Sequence, residues 1–262
     1  MTIRISAGSA PGGAGPNEDL FLAGDAWALV LDGITRYPDD GCVHDVPWYV
    51  ERLGAAIGAR IEDRALDLRS VLKGAIRAVS DEHRGGCDLA NPVSPGATAA
   101  LVRFVKARME WLVLGDSAVA WRDADGAVEA VSDERLARLT GTPAVEDVAG
   151  IRRYPIGYIA AVRNRAGGFW VASTDPDAAD EALAGAVDAA ALREVMLCTD
   201  GLTRLTERYG FAWGRLMDVA ADEGVRALVD MVREHERRDP VAMAASKPHD
   251  DATGVLVRCD IH

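Results

Sequence analysis

Three apolar runs in this chain end on an aspartate. ALVLDG stops at Asp32, WLVLGD at Asp116 and VMLCTDG at Asp200. A fourth run, ATGVLV, begins just after Asp250 and Asp251, and NED (17–19) precedes the first apolar run. Any one Asp-Gly pair is an ordinary turn. A repeated acid at the ends of strand-like runs is different, because strand ends on one edge of a sheet converge. Carboxylates brought together repel, and some must take up protons unless a cation neutralises them. Hard divalent cations want oxygen ligands and keep several waters. Two such ions roughly 4 Å apart, sharing a carboxylate, can activate water for in-line attack on phosphorus.

The elements that would carry these acids are readable from periodicity. DLFLAGDAWALVLDG reads as two strands around a turn at Gly24-Asp25. Trp48, Leu53, Ile57 and Ile61 recur at helical spacing, and Asp45 with Pro47 supplies a helix start. Leu68, Val71, Leu72, Ile76 and Val79 repeat the pattern in a second helix. ATAALVRFV, EWLVLGDSAVAWRD and AVEAVSD then read as an antiparallel meander, with turns at 106–108 and 123–126. Residues 133–168 read as loop with one short helix. FWVAST reads as a strand, DAADEALAGAV as a helix, EVMLCTDG as a buried strand, 213–236 as one or two helices, and DDATGVLVRC as a closing strand. Strands and helices do not alternate regularly. The order predicts antiparallel sheets with helices packed outside, in a single domain over residues 1–262.

Composition bounds the function. The 262 residues carry 41 acids against 29 bases, a net charge of −12. Such a surface repels phosphate backbones, which argues against a nucleic-acid partner. No run approaches the roughly 20 apolar residues of a membrane span. MTIRISAGSAPGGAG lacks the apolar region of a signal peptide. The four cysteines, 42, 87, 198 and 259, form no CxxC pair, and Cys198 and Cys259 lie in apolar runs. A reduced, cytoplasmic protein is expected.

The ordered set NED, LDG, GAT, LGDS, TDG and DDAT, spanning 17–253, resembles the metal-dependent type 2C Ser/Thr protein phosphatases, in particular bacterial members. The resemblance implies an α+β fold: an antiparallel β-sandwich flanked by helices on both faces, four layers in the order αββα. It implies a phosphoprotein substrate, a monomer, and a binuclear Mn²⁺ or Mg²⁺ centre with a third, weaker site. Asp32 would bridge both ions. Glu18 and the Gly33 carbonyl would serve one ion, and Asp200 and Asp250 the other. Asp116 would serve the third. Asp32, Asp200 and Asp250 form the implied catalytic set, with Asp251 as neighbour where the family often has Asn. A glycine at 33 would let backbone and metal approach closely. The chemistry would be direct attack by a metal-activated water, without a covalent intermediate.

Two departures from the family pattern bear on substrate. The family usually carries an arginine shortly before NED, yet this chain reads PGGAGPNED and has no arginine between Arg4 and Arg36. After Asp32-Gly33 it reads ITRYPDDGCVHDVPW, with Ile34 where a histidine is sometimes proposed as general acid. Arg36 is the candidate replacement for the phosphate grip, since a guanidinium binds phosphate bidentately. His249, beside Lys247 and Asp250, is a second candidate substrate contact. The departures leave two alternatives to a protein phosphatase: a phosphatase for a small phosphorylated metabolite, and a non-catalytic member acting as a binding or regulatory module.

Overall fold

In the computed structural model, which describes residues 2–239 and 247–260, two five-stranded antiparallel sheets face each other. The first has the order β1-β12-β11-β6-β7, built from β1 (Thr2–Ala10), β6 (Ala118–Asp123), β7 (Val128–Ser132), β11 (Leu192–Cys198) and β12 (Ala252–Asp260). The second has the order β10-β5-β4-β3-β2, built from β2 (Asp19–Gly24), β3 (Trp27–Gly33), β4 (Ala97–Val105), β5 (Arg108–Leu114) and β10 (Leu183–Asp188). Alternation along the strands sends Val30, Ala100 and Val102 of one sheet against Val119, Leu197 and Val255 of the other, which forms the inter-sheet core.

The opposite residues of the second sheet, Leu29, Leu31 and Leu101, pack under α1 (Val46–Ile61) and α2 (Leu68–His83). Both helices use the apolar stripes read from the sequence, and Leu53, Ile57, Ile61, Leu72 and Ile76 are fully buried. Asp45 caps α1 by accepting the Trp48 N–H at 2.9 Å, with proline in the first turn. The outer face of the first sheet is covered by α4 (Asp200–Glu207), α5 (Trp213–Asp222) and α6 (Val225–Arg238). The layers are therefore αββα, as expected.

Four local expectations differ. The first strand, β1, was not anticipated; it pairs along its whole length with β12. The meander is broken: EWLVL forms β5 in one sheet and AVAWRD forms β6 in the other, so the chain crosses between sheets at Gly115, Asp116 and Ser117. DAADEALAGAV is a short 3-10 turn at Pro176–Glu181 followed by β10. Pairing of β10 with β5 overrides the helix preference of its alanines, and Gly185 makes room for the Trp111 ring. FWVAST makes only isolated bridges, at Phe169 and Ala172; Phe169 and Val171 instead fill a small apolar cluster with Ile159 of α3 (Ile156–Val162). The loop over 133–168 contains α3 and a two-stranded ribbon, β8 (Glu146–Val148) with β9 (Ile151–Arg153). Among the described residues no helix is long and apolar enough to cross a membrane.

Candidate metal centre

The strand ends converge. Asp32, Gly33, Asp116, Asp200 and Asp250 all line one cavity of about 700 Å³ at one end of the sandwich. Each comes from a different kind of boundary. Asp32 is the penultimate residue of β3, held in register between Asp19 on β2 and Thr98 on β4. Asp116 lies where the chain crosses between sheets. Asp200 is two residues past the end of β11 and opens α4, so it belongs to a helix start rather than a strand end. Asp250 precedes β12, and Glu18 precedes β2. The Gly33 N–H donates to the Glu18 carbonyl at 3.0 Å, which places Glu18 beside the β3 end.

The six sequence motifs are tied to one another. Thr98 of GAT and Ser117 of LGDS share a buried 2.6 Å hydrogen bond. Thr199 of TDG donates to Asp19 of NED at 2.8 Å. Asn17 of NED donates to Ser9, whose hydroxyl contacts Thr253 of DDAT at 2.7 Å. Asp251 accepts from the backbone N–H groups of Gly12 at 2.6 Å and Glu18 at 2.5 Å. Both Asp251 oxygens are thus spent on backbone, which leaves Asp250 as the acid of that pair facing the cavity.

Glycine at 33 is required for a reason other than the one read from the sequence. A Cβ there would stand 2.3 Å from Val46 Cγ1 and 2.4 Å from the Glu18 carbonyl oxygen, so the close approach is protein against protein. At Gly201 a Cβ would sit 1.9 Å from the Asp251 carbonyl oxygen. Gly201→Ala is expected to push the 250–251 segment away from α4 and to destabilise the fold by about 1–3 kcal/mol. Denaturant unfolding checks this, and an unchanged midpoint would contradict it.

The electrostatics favour cations. No hydrogen bond reaches the side-chain carboxylates of Asp32 or Asp200 among the described residues. Burial, then the charge of Asp200, holds the Asp32 carboxyl well above the usual range. Burial, then the charges of Asp250 and Asp116, does the same to Asp200. Burial pushes Asp116 up to about 6 and the deeper Asp19 up to about 7. Asp19 also has one oxygen without a partner. Such a set is unfavourable when ionised alone, and its donors are all oxygens. It fits hard divalent ions, with Asp32 central and the Gly33 carbonyl adjacent.

Asp250 is oriented from beneath. Arg204 donates to it at 2.9 Å and to buried Glu236 at 2.7 Å. Glu236 also accepts from Arg233 at 2.9 Å, and Arg233 donates to the Asp250 backbone carbonyl at 2.5 Å. Lys247 donates to the other Asp250 oxygen at 2.7 Å and to the Thr35 hydroxyl at 2.8 Å. Thr35 in turn donates to Glu18 at 2.6 Å. Arg204 and Thr35 were not singled out from the sequence. Arg204 had a signal, since it lies four residues after Asp200 on the same helix face. Thr35 had none.

Two substrate-contact expectations are corrected. Arg36 does not line the cavity: its guanidinium grips Asp40 through two bonds of 2.6 and 2.7 Å and the Cys42 carbonyl at 2.6 Å. His249 does not line it either, because its Nδ1 pairs with Glu236 at 2.7 Å. The cations that do line the cavity include Lys247, Arg153 and Arg204. Arg153 stacks on the Tyr37 ring at 4.3 Å and donates to the Thr35 carbonyl at 3.0 Å.

The two-sheet, helix-flanked fold is shared by serine/threonine phosphatases of known structure. The Mycobacterium tuberculosis serine/threonine phosphatase PstP/Ppp is 16% identical, with all of both chains covered and a TM-score of 0.61. The catalytic domain of the serine/threonine phosphatase PstP, solved with two manganese ions, is 17% identical over 98% of each chain, with a TM-score of 0.58. Stp1 from Staphylococcus aureus, also a serine/threonine phosphatase, is 13% identical over 100% of this chain and 96% of its own, with a TM-score of 0.60. The profile of the protein phosphatase 2C family matches residues 15–233, and the chain belongs to that family. No curated protein sequence matches the chain.

Proposed function

We propose that the protein is a Mn²⁺- or Mg²⁺-dependent phosphatase that hydrolyses phosphoserine and phosphothreonine on proteins. The observation that carries this is the convergence of four acids from separate elements, Asp32, Asp116, Asp200 and Asp250, on one cavity, with no hydrogen bond to the Asp32 or Asp200 carboxylate among the described residues. Asp32 would hold both ions, Glu18 and the Gly33 carbonyl one of them, and Asp200 and Asp250 the other; Asp116 would hold a third, weaker one. When bound, the ions supply an acidified water as nucleophile and screen the phosphoryl charge. The two-manganese PstP structure and the family membership support this assignment.

The chain's own groups do the rest. Arg204 and Arg233, braced on Glu236, fix Asp250. Thr35 fixes Glu18. Lys247, rather than Arg36, takes the substrate phosphate: it lines the cavity and its ammonium feels Asp250, Asp32 and Asp200. Lys247→Met, assayed at saturating Mn²⁺, is expected to raise KM for para-nitrophenyl phosphate about tenfold or more, with a smaller change in kcat. An unchanged KM would remove Lys247 from this role.

A second reading is favoured by the cavity itself. Its volume of about 700 Å³ suits a small molecule, and one wall is apolar, formed by Ile159, Phe169, Val171, Leu136 and Tyr37. A phosphorylated metabolite with an apolar or aromatic part would fill it. Comparing kcat/KM for phosphopeptides and for a panel of phosphorylated metabolites separates the two; a phosphopeptide advantage retains the first reading, and a metabolite advantage replaces it.

A further inference from the structure

The segment after Gly33 that departs from the family pattern supplies one member of a second cluster of donors, of a different chemistry. Cys42 lies in the loop between β3 and α1. His83 is the last residue of α2, and Cys87 follows in the next turn. One ligand atom from each, two sulfurs and an imidazole nitrogen, all lie within 4.8 Å of one another. Cys42 Sγ is 3.0 Å from Cys87 Sγ and 3.4 Å from His83 Nδ1.

The surroundings hold these donors in place. The Val43 N–H points at Cys87 Sγ and the His44 N–H at Cys42 Sγ, each at 3.4 Å. Without a cation, burial and then the neighbouring Cys87 push the Cys42 thiol up to about 12, against the smaller opposing effect of the His44 N–H, so a bound cation would have to displace its proton. The Asp88 N–H donates to the Gly41 carbonyl at 2.8 Å, which ties the two turns together. Asp40 accepts the Cys42 N–H at 3.0 Å while it grips Arg36. His83 is buried, with its ring edge-on to Trp48 at 4.7 Å.

We infer that Cys42, Cys87 and His83 form a Zn²⁺-class site, separate from the oxygen-lined centre. Two thiolates and one imidazole suit a borderline-soft ion in tetrahedral coordination, and they suit Mn²⁺ or Mg²⁺ poorly. Three protein ligands leave the fourth position to water, and the site is open on the side of Val43, which is 72% exposed. Binding releases the two thiol protons to solvent, while His83 binds through its neutral Nδ1. The ion staples the loop over 34–45 to the C-terminal end of α2. That loop begins beside Gly33 and carries Thr35, the partner of Glu18 and Lys247. A Cys42–Cys87 disulfide would also join the two turns, but it would leave the converging His83 nitrogen without a use.

Cobalt titration of the full-length reduced protein tests this, because only thiolate ligation gives an intense sulfur-to-cobalt charge-transfer band. Wild type is expected to show the band, to saturate at one equivalent, to keep it in excess Mg²⁺ and to lose it on adding Zn²⁺. Cys42→Ser and Cys87→Ser, both in surface turns and checked for folding by circular dichroism, are expected to abolish it. Asp200→Asn is expected to keep it, which separates this site from the phosphatase reading. Absence of the band in folded, reduced wild type would overturn the inference, as would its persistence in Cys42→Ser. A disulfide in protein prepared without reductant, combined with no cobalt binding after reduction, would overturn it in favour of a redox pair.

Discussion

Replacing Asp32 by asparagine is expected to lower Mn²⁺-dependent phosphate release at least about a thousandfold, since the loss of a central ligand removes several kcal/mol of transition-state stabilisation. The substitution changes charge and leaves shape. Asp32 sits in a fully paired strand, between Asp19 and Thr98, so the backbone has no reason to move. The variant should fold at least as well as wild type without metal, because a neutral amide escapes the desolvation that holds the Asp32 carboxyl high. Phosphate release from a phosphopeptide, with thermal melts of both proteins, checks both halves. Full activity in Asp32→Asn would show that the cavity acids do not perform the chemistry.

The second large effect concerns stability, and its sign follows from the same acids. Asp19, Asp116, Asp32 and Asp200 all bind protons more tightly in the folded chain than the roughly 3.9 of an unfolded aspartate. Their contribution to stability is fully present below that value. It is lost as pH rises through about 6 for Asp116, about 7 for Asp19, and the raised values of the other two. Chelated protein should therefore melt at progressively lower temperature from pH 5 to pH 8. Divalent ions reverse this by binding the ionised acids. At a hundredfold excess over Kd each occupied site adds about 2.7 kcal/mol, or about 5–10 °C in Tm for a chain of this size. The increment should grow with pH. Melts with chelator and with Mn²⁺ at each pH measure it, and a Tm at pH 8 indifferent to Mn²⁺ would contradict the account.

The parts that were legible in the sequence are those where local pattern and tertiary role agree. Helices α1 and α2 show their buried stripe directly, because one face meets a sheet and the other meets water. Asp32 and Asp116 were visible because a long apolar strand makes an acid at or just past its end conspicuous. Other features were set by contacts distant in sequence. The alanines of β10 favour helix, and only the partner strand β5 makes them extended. Arg36 looked available for phosphate until Asp40, four residues on, was seen to hold it. His249 likewise looked available, but Glu236 on α6 claims it. Asp250 and Asp251 are adjacent and chemically identical. Their division of labour depends on the backbone of Gly12 and Glu18, more than 230 residues away. The Cys42, His83 and Cys87 cluster was hidden because 45 residues separate its cysteines.

The most direct measurement is calorimetric titration of the chelated wild-type protein with Mn²⁺, run beside phosphate release from a phosphoserine peptide across the same metal concentrations. Two ions are expected to bind at the acidic cavity, with turnover that rises with their occupancy and both signals lost in Asp32→Asn. Binding without turnover of any phosphorylated substrate would make the chain a non-catalytic member of its family. Turnover independent of Mn²⁺ and Mg²⁺ would contradict the metal centre itself.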